Sequence, residues 1–383
     1  MSTARGSIGA ALCLLLCAGS SYADSSRFTT ITDEWRDPVY RQYDFWVGLG
    51  SANWRQKKPD EFFHDDQGFR ATHWVYPTLN GKALLEFAMS DDVLPSGSRI
   101  QGFSVRYYDE TKQRWVMAQE WPNQNATTGV VDQLQGFYRF GRIQVFSTYT
   151  IGDPPVERTR RYTFSDIRPE GFIWHGVSTG DYGKTWTAGT LVEFTKVEAA
   201  AAWPDVGGPF HNFDDAKQCD ENEYRAFDAL EGAWAGSMTV DGKESNARLT
   251  GYRMLGGCAV LSYLEWSDNI DANTLLEVRS MNGDQSEWWT YQLDSKKGTA
   301  HSYQIGHFDD DGITLFENRQ FVIQDELTNL TPSAIERDDT ASLKKTVWTL
   351  IGENKLAFEW WSRETESSDW QQDAEFLLRR QGQ

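Results

Sequence analysis

Cysteine is scarce in this chain of 383 residues, with only Cys13, Cys17, Cys219 and Cys258. None forms a Cys-x-x-Cys or Cys/His pattern, which argues against a zinc or thiol-redox centre. Eleven prolines and 32 glycines are too few and too scattered for a low-complexity or collagen-like chain. Cations are also in short supply. Lys and Arg total 37 against 56 Asp and Glu, a formal net charge of −19. That deficit excludes nucleic acid as the expected partner, because phosphates need clustered cations. It argues equally against docking on an anionic membrane, and it favours a neutral or cationic partner. No run of about 20 apolar residues exists, so no membrane-spanning helix is expected. A GxSxG elbow, a P-loop, an HExxH motif and a GxGxxG after a strand are all missing. The sequence therefore names no cofactor and no metal. Asp309-Asp310-Asp311-Gly312 beside His301 and His307 lacks the twelve-position calcium-loop pattern.

What is abundant is aromatic: 17 Trp, 15 Tyr and 21 Phe. Before these come into play, the N-terminus has to be set aside. Arg5 precedes an apolar stretch from Ile8 to Ala18, and Ser21-Tyr22-Ala23 places small residues at a cleavage site. Residues 1–23 read as a secretory signal peptide, so the mature chain is expected to be periplasmic or secreted. Leu16 ahead of Cys17 argues against lipid attachment there. Cys219 and Cys258 remain in an oxidising compartment, either as one disulfide or as two buried thiols.

The mature chain repeats itself. Tyr43-Asp44-Phe45-Trp46-Val47-Gly48 corresponds to Phe227-Asp228-Ala229-Leu230-Glu231-Gly232. Asn80–Phe87 corresponds to Gly256–Tyr263, and Val105-Arg106 stands before Trp115 as Val278-Arg279 stands before Trp288. Further matches in the same order run to Glu193-Phe194 and Glu375-Phe376. The implied organisation is repeat one over residues 32–197, a linker over 198–214 and repeat two over 215–383. Each repeat is dominated by period-two segments separated by turn signals, such as Asn282-Gly283. Short helices are expected over 33–48 and 220–232. The predicted fold is all-β: two tandem antiparallel barrels, each entered through a short helix. Closing a meander into a barrel removes its exposed edges.

The Tyr43–Gly48 segment resembles the opening of DUF1579-type, lipocalin-like bacterial proteins, and Leu230-Glu231-Gly232-Ala233-Trp234 contains the Gly-x-Trp of calycins. The resemblance implies lipocalin-like barrels. It also implies that Trp234 closes one barrel end beneath a basic side chain of the last strand, Arg379 or Arg380. Repeat one has Gly50 in place of that Trp. Its barrel is expected to be less plugged, unless Trp46 or Trp54 takes the space.

Candidate site residues follow from polar and aromatic side chains on the strands of repeat one. His73, His175, Glu86 and Glu120 would suit acid–base chemistry. Arg70, Trp74, Trp115, Trp121 and Trp174 would line a pocket. Packing and outward-facing positions are the competing reading for every one of them, because adjacent strand residues point to opposite faces. Glu86 aligns with Ser262 and His175 with Glu359, so the repeats are expected to have unequal roles. The expected function is binding of a small hydrophobic or aromatic molecule. The alternative is a cofactor-independent enzyme in repeat one, an isomerase, cyclase, hydratase or hydrolase.

The cysteine alternatives are separable by experiment. A Cys219–Cys258 bridge closes a loop of about 40 residues, which the chain-entropy model values at roughly 4 kcal/mol. Thiol titration of unfolded, non-reduced mature protein is expected to find no free thiol. Two titrating thiols identify the unbridged alternative.

Overall fold

The computed structural model describes residues 38–56, 68–93, 99–110, 112–120, 132–151, 156–198, 225–267, 272–282, 287–294, 300–309, 312–317, 343–351, 353–365 and 367–382. The expected signal peptide over 1–23, Trp121 and Cys219 lie outside them, as does all of the expected linker but Glu198. Among the described residues no helix is long and apolar enough to cross a membrane.

Ten strands form the first barrel: β1 (Gly48–Gln56), β2 (Gly68–Thr78), β3 (Ala83–Ser90), β4 (Gln101–Asp109), β5 (Arg114–Glu120), β6 (Asp132–Arg139), β7 (Arg142–Ile151), β8 (Val156–Arg168), β9 (Gly171–Thr179) and β10 (Thr187–Glu198). Ten more form the second: β11 (Gly232–Val240), β12 (Lys243–Met254), β13 (Ala259–Ser267), β14 (Ala272–Asn282), β15 (Glu287–Asp294), β16 (Ala300–Asp309), β17 (Gly312–Glu317), β18 (Leu343–Leu350), β19 (Lys355–Arg363) and β20 (Gln371–Arg380). Every strand pairs antiparallel with its sequence neighbours, and each first strand pairs with its last, so both sheets are closed. Closure satisfies the edge hydrogen bonds that an open meander would leave bare.

Of the expected opening helices, the described parts, 38–48 and 225–232, hold single 3₁₀ turns, Tyr40–Tyr43 and Asp228–Leu230. The reason is the spacing. Tyr40, Tyr43 and Trp46 are buried at intervals of three, as are Phe227 and Leu230. Three residues per turn is the 3₁₀ period, so these side chains align on one face only in the tighter helix.

Alternation assigns the two faces of each strand. In β3, Leu84 packs inside the first barrel, whereas Leu85 and Phe87 belong to a second apolar cluster. That cluster joins the barrels. It combines Leu79, Ala83, Leu85, Phe103, Val105 and Tyr107 with Leu255, Ala259, Leu261, Tyr263, Leu276 and Val278. Most of these are equivalent positions of the two repeats, so the seam is self-complementary, like a two-fold dimer interface held within one chain. Thr78 Oγ1 and Tyr263 Oη hydrogen-bond across it at 2.9 Å. Leu79 and Leu255 both hold positive φ, 50° and 54°. Such a backbone costs a Leu about 1–2 kcal/mol, and burial of both side chains in the seam offsets it.

Leu261 is fully buried there. Leu261→Ala is expected to cost about 2–5 kcal/mol, measured as a lower urea midpoint with an unchanged m-value.

Candidate functional site

Register places the inward side chains of the first barrel in rows. His73, Ala88 and Gly102 stand side by side across β2, β3 and β4. The next row toward the 3₁₀ turn is Val75, Glu86, Ser104 and Gln119. Below it lie Leu84, Arg106 and Met117. In the second barrel the matching rows are Leu249–Leu264–Leu275, Gly251–Ser262–Glu277–Gln292, and Val260–Arg279–Thr290.

Glu86 is the hub of the first barrel and is 3% exposed. His73 Nδ1 lies 2.6 Å from its Oε1. Ser104 Oγ and Arg106 Nη2 both donate to its Oε2, each at 2.6 Å. Burial alone would raise the Glu86 carboxyl. The Arg106 charge and the hydrogen bonds from His73 and Ser104 overcome it and hold the carboxyl at about 2. The Arg106 guanidinium in turn lies 3.8 Å from the Trp46 ring centroid and 5.6 Å from that of Tyr43, a desolvated cation–π arrangement. Trp54 Nε1 donates to His73 Nε2 at 3.4 Å. An indole N–H only donates, so His73 Nε2 is the acceptor and Nδ1 carries the proton given to Glu86.

The second barrel keeps the ion pair but transposes it. Glu277 stands at the place of Ser104, and Ser262 at that of Glu86. Arg279 Nη2 donates to Glu277 Oε2, and its Nη1 donates to Ser262 Oγ at 2.7 Å. Gln292 Nε2 supplies Glu277 Oε1 at 2.7 Å. Arg279 lies over Trp348 and Phe227. The carboxylate that the sequence comparison of Glu86 with Ser262 counted as lost has therefore moved one strand across.

The expected site residues divide sharply. His73 and Glu86 meet. Trp115 and Trp174 are buried inside the barrel, Trp115 Nε1 donating to Gln42 Oε1 at 2.8 Å. Trp174 packs edge-on against Trp54 and Tyr162. Because Trp174 points inward, its neighbour His175 points outward, away from His73. There burial, then Arg161 and Arg142, lower the His175 pKa. Arg70 is exposed, and Trp74 faces the inter-barrel seam, since β2 turns His73 and Val75 inward. These three are not lumen residues. Glu120 pairs with Phe103 through the backbone at the end of β5, but its side chain lies outside the described residues, as does all of Trp121. Sequence reasoning missed Ser104 and Arg106. The available signal was Val105-Arg106 matching Val278-Arg279, an Arg repeated at one position of an apolar strand.

The end-closing Trp–Arg pair is present in the second barrel. Arg380, not Arg379, lies 4.8 Å from the Trp234 ring centroid and donates to Ala229 O at 2.9 Å. The corresponding end of the first barrel is not emptier. A Cβ on Gly50 would meet the Phe194 ring at 1.9 Å, so that ring occupies the space a Trp would need. Trp46 packs beside Phe164, Phe172 and Phe194.

No protein-family model matches this chain, and no curated protein matches it. A solved protein of unknown function from the DUF3598 family of Nostoc punctiforme PCC 73102 aligns with 90% of this chain and 99% of its own, at 8% identity and a TM-score of 0.22. Similarity at that level carries no argument about this protein.

The depressed Glu86 carboxyl fixes a pH dependence. As pH falls, the unfolded chain takes up this proton near the ordinary 4.5, before the folded chain does near 2. Stability present above 4.5 is therefore lost between those values, on the order of 3 kcal/mol. Urea midpoints from pH 5 to 2.5 are expected to fall accordingly. Glu86→Gln is expected to flatten that fall while costing about 3–5 kcal/mol at pH 7, because Arg106 remains buried without its counter-charge.

Proposed function

We propose that the first barrel binds a small, flat, largely apolar molecule in its lumen, and that the protein is exported. The observation that carries this is one row of side chains. Where the second barrel fills its lumen with Leu249, Leu264 and Leu275, the first has His73, Ala88 and Gly102. Two large side chains are replaced by a methyl group and a hydrogen. The rings of Trp54 and Trp174 lie on the His73 side of this row, with Phe69 and Tyr162 packed on them. A flat apolar body suits the space between small side chains and ring faces. The neighbouring charges are already paired, Glu86 with Arg106, so the reading is of a neutral ligand.

The barrel architecture and the resemblance to lipocalin-like proteins support binding. The catalytic alternative draws on the same His73–Glu86 pair, but of the four residues expected to serve it, only these two meet in the described lumen. The reading also keeps Cys258, buried at the seam, bridged to Cys219.

The neutral fluorophore N-phenyl-1-naphthylamine tests the site. Wild-type protein is expected to bind one equivalent. Ala88→Leu, which installs the side chain of the second barrel, is expected to weaken binding at least tenfold with Tm unchanged or raised. Equal binding by wild type and Ala88→Leu overturns the assignment to this row.

A further inference from the structure

We infer that the ligand of the first barrel presents a hydrogen-bond donor, a hydroxyl on an aromatic ring, to His73 Nε2. This rests on the lumen being the binding site and adds the chemistry by which it selects.

The argument is one of donors and acceptors. Glu86 accepts from three groups: His73 Nδ1 on one oxygen, Ser104 Oγ and Arg106 Nη2 on the other. An ionised carboxylate can only accept, so the His73 proton must sit on Nδ1. Nδ1 is thereby turned to Glu86, and Nε2, which meets the Trp54 indole N–H as an acceptor, faces away from the ion pair. Trp54 Nε1 occupies that lone pair at 3.4 Å, beyond the usual 2.7–3.2 Å for an N–H donor. The two rings lie nearly parallel, at 13°. The contact is a weak one, and a closer hydroxyl improves on it.

The surroundings narrow the donor further. His73 stands next to Ala88 and Gly102 in its row, so the imidazole borders a methyl group and a glycine instead of leucine side chains. Phe194 stands edge-on to the His73 ring, and Trp54 stacks on Phe69. The Glu86–Arg106 pair nearby is neutral as a whole, so neither a cation nor a carboxylate would find an unpaired counter-charge there. A neutral hydroxyl needs none. A phenol joins a flat apolar ring to a strong neutral donor. The second barrel has no counterpart: its equivalent of His73 is Leu249, within its apolar lumen.

Phenol and its apolar isostere toluene test this by calorimetric titration of the mature protein. Toluene is the more hydrophobic of the two, so burial alone ranks it first. Wild type is expected to bind phenol at least tenfold more tightly than toluene. His73→Leu, copying the second barrel, is expected to reverse the order. His73→Gln, which keeps an amide donor for Glu86 and an acceptor for the ligand, is expected to retain part of the preference. Trp54→Phe retains an aromatic side chain and removes the competing N–H, and is expected to raise the preference for phenol over toluene several-fold. If toluene binds as well as phenol to wild type, the donor inference fails and lumen binding stands. If neither binds, and the naphthylamine probe does not bind either, both fail together. A preference for phenol that survives His73→Leu in folded protein also overturns the inference.

Discussion

The structure turns on a carboxylate and a guanidinium buried together inside each barrel. Removing two such charges from water costs several kcal/mol apiece, which their attraction repays only when further hydrogen bonds complete the arrangement. Both barrels meet that demand at the carboxylate, by different means, while Arg106 Nε and Nη1 and Arg279 Nε rest against aromatic rings without a hydrogen-bond acceptor among the described residues. Glu86 receives His73 and Ser104 besides Arg106. Glu277 receives Gln292 besides Arg279, and Arg279 also reaches Ser262. The arginine keeps its position and its aromatic bed in both copies. The glutamate changes strand, because Glu86 and Ser104 are direct cross-strand partners, as are Ser262 and Glu277. Either strand brings the carboxylate within reach of the same guanidinium.

With the ion pair constant, the difference between the barrels reduces to what lies one row away. Leucines stand in the row beside the pair in the second barrel and are buried in its core. In the first, the place of one leucine is taken by His73, which extends the polar network upward, and the others are reduced to Ala88 and Gly102. Trp54 and Phe69 correspond to Met238 and Ser245, so aromatic rings stand beside His73 that the second barrel lacks at those positions. The two lumens are built to one plan and differ in where bulk is placed.

Much of this was legible in the sequence. The duplication, the period-two strands and the closure into barrels came from ordered matches and from alternation. The same alternation already implied that Trp174 and His175 do not share a face. Other features were hidden for physical reasons. An arginine on a strand normally reads as solvent-facing, and only its partner on the neighbouring strand explains Arg106 inside a core. Aligning the repeats position by position compares Glu86 with Ser262 and misses the transposition, since the conserved quantity is a cross-strand pair. The opening turns were read as helices because buried aromatics recur along them, but a spacing of three favours a 3₁₀ turn. The inter-barrel seam left one trace, the nearly unbroken apolar run Ala83–Phe87 around a single Glu. Strands buried on both faces read that way.

That double burial gives the ion pair a role beyond its own energy. Strand register is usually set by having one wet and one dry face, so that a slip of one residue exposes the apolar set. β3 and β4 have no wet face. Their inward side chains fill the lumen and their outward ones fill the seam, so apolar patterning alone barely distinguishes the two registers. Glu86, Ser104 and Arg106 make the distinction. A one-residue slip would carry the charges out of the lumen into the seam, among Leu261, Leu276 and Val278, and away from His73. It would also drive Leu85 and Val105 toward Trp46 and Trp115. The polar row thus specifies which face of each central strand belongs to the lumen. The position of His73 beside the small side chains follows from that choice.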